Sequence, residues 1–115
     1  MSIVLIIIVI IGYISINPIV KYNSAQSCLE NKEYDRAIKL FSNLGSYKDS
    51  EEKAQLSKYN KAKEALENNE YENAIEMLSE ISDYKDSSDQ IKECKYLFGI
   101  EKYDSGNFLE GKNLY

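Results

Sequence analysis

Three aspartates follow one another at three-residue intervals in the C-terminal half of the chain: Asp83, Asp86 and Asp89. Carboxylate oxygens are the ligands that Ca²⁺ prefers, and the stretch resembles half of a calcium-binding loop. A complete loop also needs a central glycine for its sharp turn and a closing bidentate glutamate, and both are missing here. We therefore expect no metal site.

The residues and motifs that most often carry out catalysis are also missing from the sequence. The chain contains no histidine, the side chain that most often serves as a general base or a transition-metal ligand. It contains no nucleophile elbow, no glycine-rich phosphate loop and no zinc-protease motif. Glu51 and Glu52 are adjacent carboxylates, but they stand at a predicted helix start, where they offset the helix dipole. The sequence therefore predicts no enzymatic activity and no cofactor.

The two cysteines, Cys28 and Cys94, form neither a CxxC pair nor a zinc-binding pattern. Their simplest interpretation is two small apolar side chains on helices. A disulfide is the alternative, if the fold brings the two residues together in an oxidising compartment.

The charge of the chain is concentrated after residue 20 and is mildly acidic. The sequence has 14 basic and 19 acidic residues and a formal net charge of −5. Phosphate contacts need clustered lysine or arginine, and no basic block is present. Nucleic acid is therefore not an expected partner.

The N-terminal stretch is apolar, and residues 3–16 read IVLIIIVIIGYISI. The 18 residues from 3 to 20 carry no charge, and as a helix they would span roughly 27 Å, close to the hydrocarbon core of a bilayer at about 30 Å. We expect a single-pass membrane anchor over residues 1–18 that contacts the lipid bilayer through residues 3–20. A secretory signal or a buried core helix are the alternatives.

The residues that follow the apolar run bear on its orientation and on where it ends. Lys21, Lys32, Arg36 and Lys39 favour a cytoplasmic C-terminal part under the positive-inside rule, but the bias is small and leaves the side open. Asn17 followed by Pro18 predicts an N-cap and the first position of a new helix. One continuous helix kinked at the proline is the alternative.

The remainder of the chain repeats itself at a distance of 37 residues. The segment YNSAQSCLENKEYDRAIKLFSNLGSYKDS at 22–50 aligns without a gap with YNKAKEALENNEYENAIEMLSEISDYKDS at 59–87. We divide residues 19–115 into repeats 19–48, 49–85 and a partial third repeat, 86–115. Matches of this density indicate tandem repeats of one supersecondary unit.

Each repeat contains two apolar stripes with helical spacing, separated by LENKEY or LENNEY, which predict a tight turn. The stripes of the second helices are Tyr34, Ala37, Ile38, Phe41 and Leu44, and Tyr71, Ala74, Ile75, Leu78 and Ile81. The stripe of the central first helix is Leu56, Tyr59, Ala62 and Leu66. Small residues recur where helices would approach closely: Ala25, Ala37, Ala62, Ala74, Gly99 and Gly111. Such hairpins bury their stripes by stacking, so we expect an all-α chain with an α-solenoid.

The tetrapeptide YKDS occurs at residues 47–50 and again at 84–87, between one hairpin and the next. Asp49 and Asp86 each have an acidic residue three positions later, a pattern close to a capping box, so we interpret them as N-caps. Tyr47 and Tyr84 are expected to fold back on the apolar stripe, and the lysine between tyrosine and aspartate is expected to face solvent. The tetrapeptide is therefore predicted to be structural.

The segments EYDRAIKLF and EYENAIEML resemble the second helix of the tetratricopeptide repeat (TPR) family, which has an aromatic residue, a small residue three later and a large apolar residue four after that. The resemblance covers residues 19–115. It implies a fold of stacked helical hairpins and a groove, lined by first helices, that binds a protein or peptide. The residues that would line this groove are Tyr22, Gln26, Leu29, Tyr59, Lys63, Leu66, Tyr96, Ile100 and Tyr103. Packing of the tyrosines between neighbouring first helices is the alternative.

The chain departs from the family pattern in its period of 37 residues, in Leu44 and Ile81 at a position where the family has alanine, and in YKDS at the repeat junction. The third repeat stops in mid-pattern, so we expect either a fragment or another chain that covers its apolar residues, including Phe108, Leu109, Leu114 and Tyr115. The predicted function is a membrane-anchored scaffold for protein–protein interaction. A structural spacer, or part of a larger membrane-bound enzyme or sensor whose active domain lies beyond Tyr115, are the alternatives.

Overall fold

The computed structural model describes residues 2–104, and these residues form six helices and no strand. The prediction of an all-α chain is thereby confirmed. The expectations for Phe108, Leu109, Gly111, Leu114 and Tyr115 lie outside the described residues. The helices are α1 Ile3–Ile16, α2 Pro18–Glu30, α3 Tyr34–Leu44, α4 Ser50–Glu67, α5 Tyr71–Ser79 and α6 Ser87–Asp104.

The apolar N-terminal run forms α1, and α2 begins at the proline as predicted. The Asn17 side chain accepts a hydrogen bond from the Ile19 amide at 2.9 Å, and Pro18 occupies the first turn, where its missing N–H costs nothing. Within residues 2–104, no single helix combines the length and the apolar character needed to cross a membrane. The segments Ile3–Tyr13 and Pro18–Glu30, bent by 69° to one another, have that length and composition only as a pair.

The chain divides into two compact units, Met1–Ser57 (unit 1) and Lys58–Tyr115 (unit 2). Helix α4 contributes residues 50–57 to unit 1 and residues 58–67 to unit 2. The buried core of unit 1 consists of Ala25, Cys28, Leu29, Ala37, Phe41 and Ala54. The buried core of unit 2 consists of Tyr59, Ala62, Ala65, Ala74, Leu78, Ile81 and Cys94. The predicted stripes therefore supply five of the seven core residues of unit 2, but only Ala37 and Phe41 of the six in unit 1.

Small residues stand at the most deeply buried positions of both units. Ala25, Ala37, Ala62 and Ala74 are all fully buried. A methyl side chain lets two helix backbones approach closely, which explains why alanine recurs at these places. The predicted role of the small residues is confirmed for these four, and Gly99 is buried as well.

The turn inside each hairpin is a Schellman motif, a C-terminal cap with two reversed hydrogen bonds. In unit 1, Lys32 has φ 62°, and the amides of Lys32 and Glu33 donate to the carbonyls of Leu29 and Cys28 at 3.1 and 2.8 Å. In unit 2, Asn69 has the same φ, and the amides of Asn69 and Glu70 donate to Leu66 and Ala65 at 3.0 and 2.8 Å. LENKEY and LENNEY therefore form the same tight turn, as predicted.

The backbone of the YKDS junctions is also the same in both copies. Lys48 and Lys85 both have φ 49°, in the left-handed region that few side chains adopt. Ser50 and Ser87 then begin α4 and α6 and are fully buried. One boundary differs from its prediction, because α5 ends at Ser79 and leaves Ile81 beyond the helix, although Ile81 is still buried.

Candidate functional site

The residues predicted to line a binding groove fall into two groups in the structure. Tyr59 and Leu29 belong to the buried cores, and Tyr22 and Leu66 pack partly against them, while Gln26 is half-buried. Lys63 is exposed, as are three residues of α6: Tyr96, Ile100 and Tyr103. The buried group stabilises the hairpins, so only the exposed group presents its side chains on the surface of its unit.

In unit 1, Tyr22 forms a cluster with the YKDS junction that follows it. Its hydroxyl donates a hydrogen bond of 2.5 Å to a carboxylate oxygen of Asp49. Its ring meets the edges of Phe41 and Tyr47, with centroids 5.7 and 6.0 Å away. The ammonium of Lys48 lies 5.0 Å from the centroid of the Tyr22 ring. We call this arrangement of tyrosine, junction tyrosine, lysine and aspartate a clasp.

Unit 2 contains the same clasp, built by residues 37 positions later. The Tyr59 hydroxyl donates to Asp86 at 2.5 Å, and the Tyr59 and Tyr84 ring centroids are 5.8 Å apart. Lys85 lies 5.3 Å from the centroids of both rings. Because both clasps tie a first helix to the junction that ends its own hairpin, we interpret them as structural.

In addition to the predicted N-cap position, the aspartates of the two junctions have a second role in the clasps. Asp49 and Asp86 do occupy the residue before α4 and α6, and their carbonyls accept from Lys53 and Gln90 at 2.9 Å, as N-cap residues do. Their carboxylates accept the tyrosine hydroxyls. The predicted folding-back of the junction tyrosines is confirmed, and the junction lysines are exposed while their ammonium groups cover the rings.

The hydrogen bonds of the clasps shift the acidities of both partners. The bond to Asp86, with burial and the nearby negative charge, raises the pKa of Tyr59 to about 12. The same bond, with one from Gln90, lowers the pKa of Asp86. In unit 1 the bond between Tyr22 and Asp49 raises the pKa of the tyrosine and lowers that of the aspartate. Both clasps are thus strongest when the carboxylate is charged and the phenol is neutral.

These shifts predict how the stability of unit 2 depends on pH. The low pKa of Asp86 contributes stability above the ordinary aspartate pKa of about 4, and this contribution is lost as the pH falls through the folded value. The high pKa of Tyr59 contributes stability that is complete below about pH 10 and is lost as the pH rises through about 12. We expect Tyr59→Phe to lower the thermal midpoint most between about pH 5 and 9, and less outside that range.

The measurement is the thermal midpoint of wild type and variant by circular dichroism across this pH range. Tyr71→Phe is the matched control, because the Tyr71 hydroxyl donates to the neutral side chain of Asn69 at 3.0 Å. The difference in thermal midpoint between Tyr71→Phe and the wild type should not change with pH. An equal difference for Tyr59→Phe at every pH would show that the charge of Asp86 does not strengthen the clasp.

The structure shows neither a metal site nor a disulfide at the residues that the sequence offered for them, among the residues it describes. Among residues 2–104, no group of three or more cysteine or acidic side chains is placed to hold a metal ion. Cys28 and Cys94 are buried free thiols on α2 and α6, and burial raises the pKa of the Cys94 thiol. This matches their interpretation as small apolar side chains.

The sequence did not predict the clasps, because no local pattern relates a first-helix tyrosine to the aspartate of the junction after the next helix. The partners are 27 positions apart in each copy, Tyr22 from Asp49 and Tyr59 from Asp86. Every pair of positions in a gapless repeat keeps its separation, so this spacing alone does not identify the contact. Comparison of the chain with protein-family models, with curated proteins and with solved structures finds no match.

Proposed function

We propose that the chain is a membrane-anchored scaffold, with a TPR-like α-solenoid of helical hairpins, that binds a protein or peptide and catalyses no reaction. The observation that carries the binding role is an exposed stripe on α6. Tyr96, Ile100 and Tyr103 are 53%, 38% and 59% exposed, and their spacing places them on one face of the helix. Tyrosine is enriched among the residues that dominate binding at protein interfaces, and contiguous exposed apolar patches often mark interaction sites.

The register of the repeats supports this assignment of the stripe. Helices α4 and α6 both have 18 residues and begin 37 positions apart, so Tyr96 corresponds to Tyr59. On the corresponding face of α4, Tyr59 lies in the clasp and the core, Leu66 packs partly against that core, and Lys63 is exposed. On α6 all three positions of this face carry exposed, largely apolar side chains, which suits a helical peptide or protein as partner.

The membrane role is supported by the surface of α1. Its apolar side chains from Ile3 to Ile11, and Tyr13, are all exposed, between 44% and 75%. A helix that is apolar all round is stable where its surroundings are apolar too. Helix α1 alone has 14 residues and is about 21 Å long, shorter than a hydrocarbon core of about 30 Å. The proposed anchor therefore requires the uncharged residues up to Val20 to continue the helix in lipid, in place of the 69° bend.

The binding role is tested with the double variant Tyr96→Ala and Ile100→Ala, made in the full chain. The chain is recovered from membranes of the cells that produce it, and the retained partner is quantified after crosslinking. We expect at least a tenfold loss of partner, as truncation of interface hot spots produces. The double variant Glu51→Ala and Gln55→Ala, an exposed pair on α4, is the control. Equal retention by all three chains would refute the α6 stripe as the binding surface.

A further inference from the structure

Unit 2 contains a cleft of about 250 Å³ where α5 begins and α6 ends. Its charged and aromatic lining consists of Glu70, Tyr71, Glu72, Phe98, Glu101 and Lys102. The three glutamates are exposed, and the two aromatic rings are half-buried. Acidic oxygens and aromatic faces in one cleft are the two features that attract an organic cation.

The glutamate at the corresponding position of unit 1, Glu33, has a different partner from Glu70. There, the carboxylate of Glu33, the residue before α3, forms an ion pair of 3.1 Å with Arg36 in the first turn of that helix. In unit 2 the matching carboxylate, Glu70, accepts from the neutral amide of Asn73 at 3.2 Å. Unit 2 thus has an asparagine where unit 1 has an arginine, so the ion pair of unit 1 is not formed at this position of unit 2.

The entire net negative charge of the chain lies in unit 2. Unit 1 contains six basic and six acidic residues, whereas unit 2 contains eight basic and 13 acidic ones. A local excess of negative charge raises the concentration of cationic partners and speeds their association. The cleft is therefore in the half of the chain that attracts them.

The cleft contains a pair of aromatic rings, and the ammonium of Lys102 already lies over one of them. The Tyr71 and Phe98 rings have centroids 6.2 Å apart and a tilt of 37°. The ammonium of Lys102 lies 5.2 Å from the centroid of Phe98, over its ring. Lys102 thus shows where a positively charged group rests against this ring.

We propose that this cleft binds an arginine side chain of a partner peptide; the inference rests on the proposed protein-binding function and names the chemistry of the partner. A guanidinium can stack on an aromatic face while its N–H groups reach carboxylates, which a lysine ammonium cannot do in the same geometry. The volume is below the roughly 300 Å³ of the smallest drug-sized pockets and suits a single side chain. Lys102 moves aside when the arginine enters.

The test uses fluorescein-labelled hexa-arginine and, as a neutral analogue of equal shape, hexa-citrulline. Binding to the full chain in uncharged detergent micelles is followed by fluorescence anisotropy. We expect hexa-arginine to bind and the triple variant Glu70→Gln, Glu72→Gln and Glu101→Gln to weaken its binding about tenfold. The triple variant Glu64→Gln, Glu76→Gln and Asp83→Asn removes the same charge elsewhere in unit 2 and should weaken binding less than threefold.

Two further variants test the aromatic part of the cleft. Lys102→Met removes the resident cation, so it should tighten hexa-arginine binding severalfold, an effect that mere loss of structure would not produce. Phe98→Leu should weaken it by about threefold. Circular dichroism checks that both variants fold.

Equal weakening by the two triple variants, or equal binding of hexa-citrulline, would overturn the arginine cleft. This outcome is distinct from failure of the scaffold proposal. If the wild-type chain still retains a partner that Tyr96→Ala and Ile100→Ala lose, the scaffold proposal stands and only the cleft is refuted.

Discussion

Replacing Phe41 by alanine is expected to unfold unit 1 under conditions in which the wild-type chain is folded. Phe41 is fully buried, and it is the largest side chain in the core of that unit. Truncation of a buried phenylalanine to alanine costs about 3–5 kcal/mol, through lost burial and the cavity left behind. A unit of this size has a total stability of about 3–9 kcal/mol, so the loss is a large part of it.

The loss should extend to the clasp of unit 1. The Phe41 ring supports Tyr22 in an edge contact, and Tyr22 in turn holds Asp49 at the start of α4. Without the ring, Tyr22 loses the surface that orients its hydroxyl. Folding is measured by far-ultraviolet circular dichroism during heating, and the environment of the tyrosines by near-ultraviolet dichroism.

The repeat itself offers the control for this substitution. Leu78 occupies the corresponding position in unit 2 and is buried to the same degree. Phe41→Leu keeps an apolar side chain of intermediate size, so we expect a cost of about 1.5 kcal/mol. If Phe41→Ala melts at the wild-type temperature, the core of unit 1 does not depend on this ring and the described packing is wrong.

Introducing two arginines into α1 is expected to release the chain from membranes. At the centre of a membrane helix each arginine costs about 2.5–3.5 kcal/mol, so Ile7→Arg with Ile10→Arg costs about 5–7 kcal/mol. Both side chains are about half exposed in the chain, at 48% and 50%. Their replacement therefore leaves the cores of the two units intact, and the hairpins should remain helical by circular dichroism.

The measurement is the fraction of chain that remains in the membrane pellet after an alkaline carbonate wash. Wild type and the control Ile7→Leu with Ile10→Leu should stay in the pellet, because leucine is as apolar as isoleucine. The double arginine variant should move to the supernatant. Wild-type protein in the supernatant, or an arginine variant that stays in the pellet, would refute the anchor.

Much of the local structure could be predicted because it depends on residues close together in the chain. The start of α2 followed from Asn17 and Pro18, whose effects act within one turn of helix. The hairpins followed from apolar residues spaced at helical intervals, which must share one face to be buried. The end of α5 was less predictable, since Ile81 is buried from a position beyond the helix and its spacing continues the stripe.

The candidate site could be predicted only in part, because helical periodicity shows which residues share one face of a helix but not what packs against that face. Tyr22, Tyr59 and Tyr96 are equivalent by sequence, yet the first two belong to clasps and the third is 53% exposed. The cleft proposed to bind arginine likewise depends on how α5 and α6 pack, because Glu70 and Glu101 both line it. No local pattern relates two residues this far apart.

The sequence by itself determined that the chain is helical, that it repeats every 37 residues, and that an uncharged apolar stretch precedes the repeats. These properties follow from composition, helical periodicity and capping, all of which act over a few residues. Only the tertiary structure decided that the tyrosines of the first helices bind the aspartates of YKDS, with the lysines Lys48 and Lys85 at positive φ above their rings. A hydrogen bond between residues 27 positions apart requires the chain to turn back twice, so it exists only once both helices of a hairpin have packed.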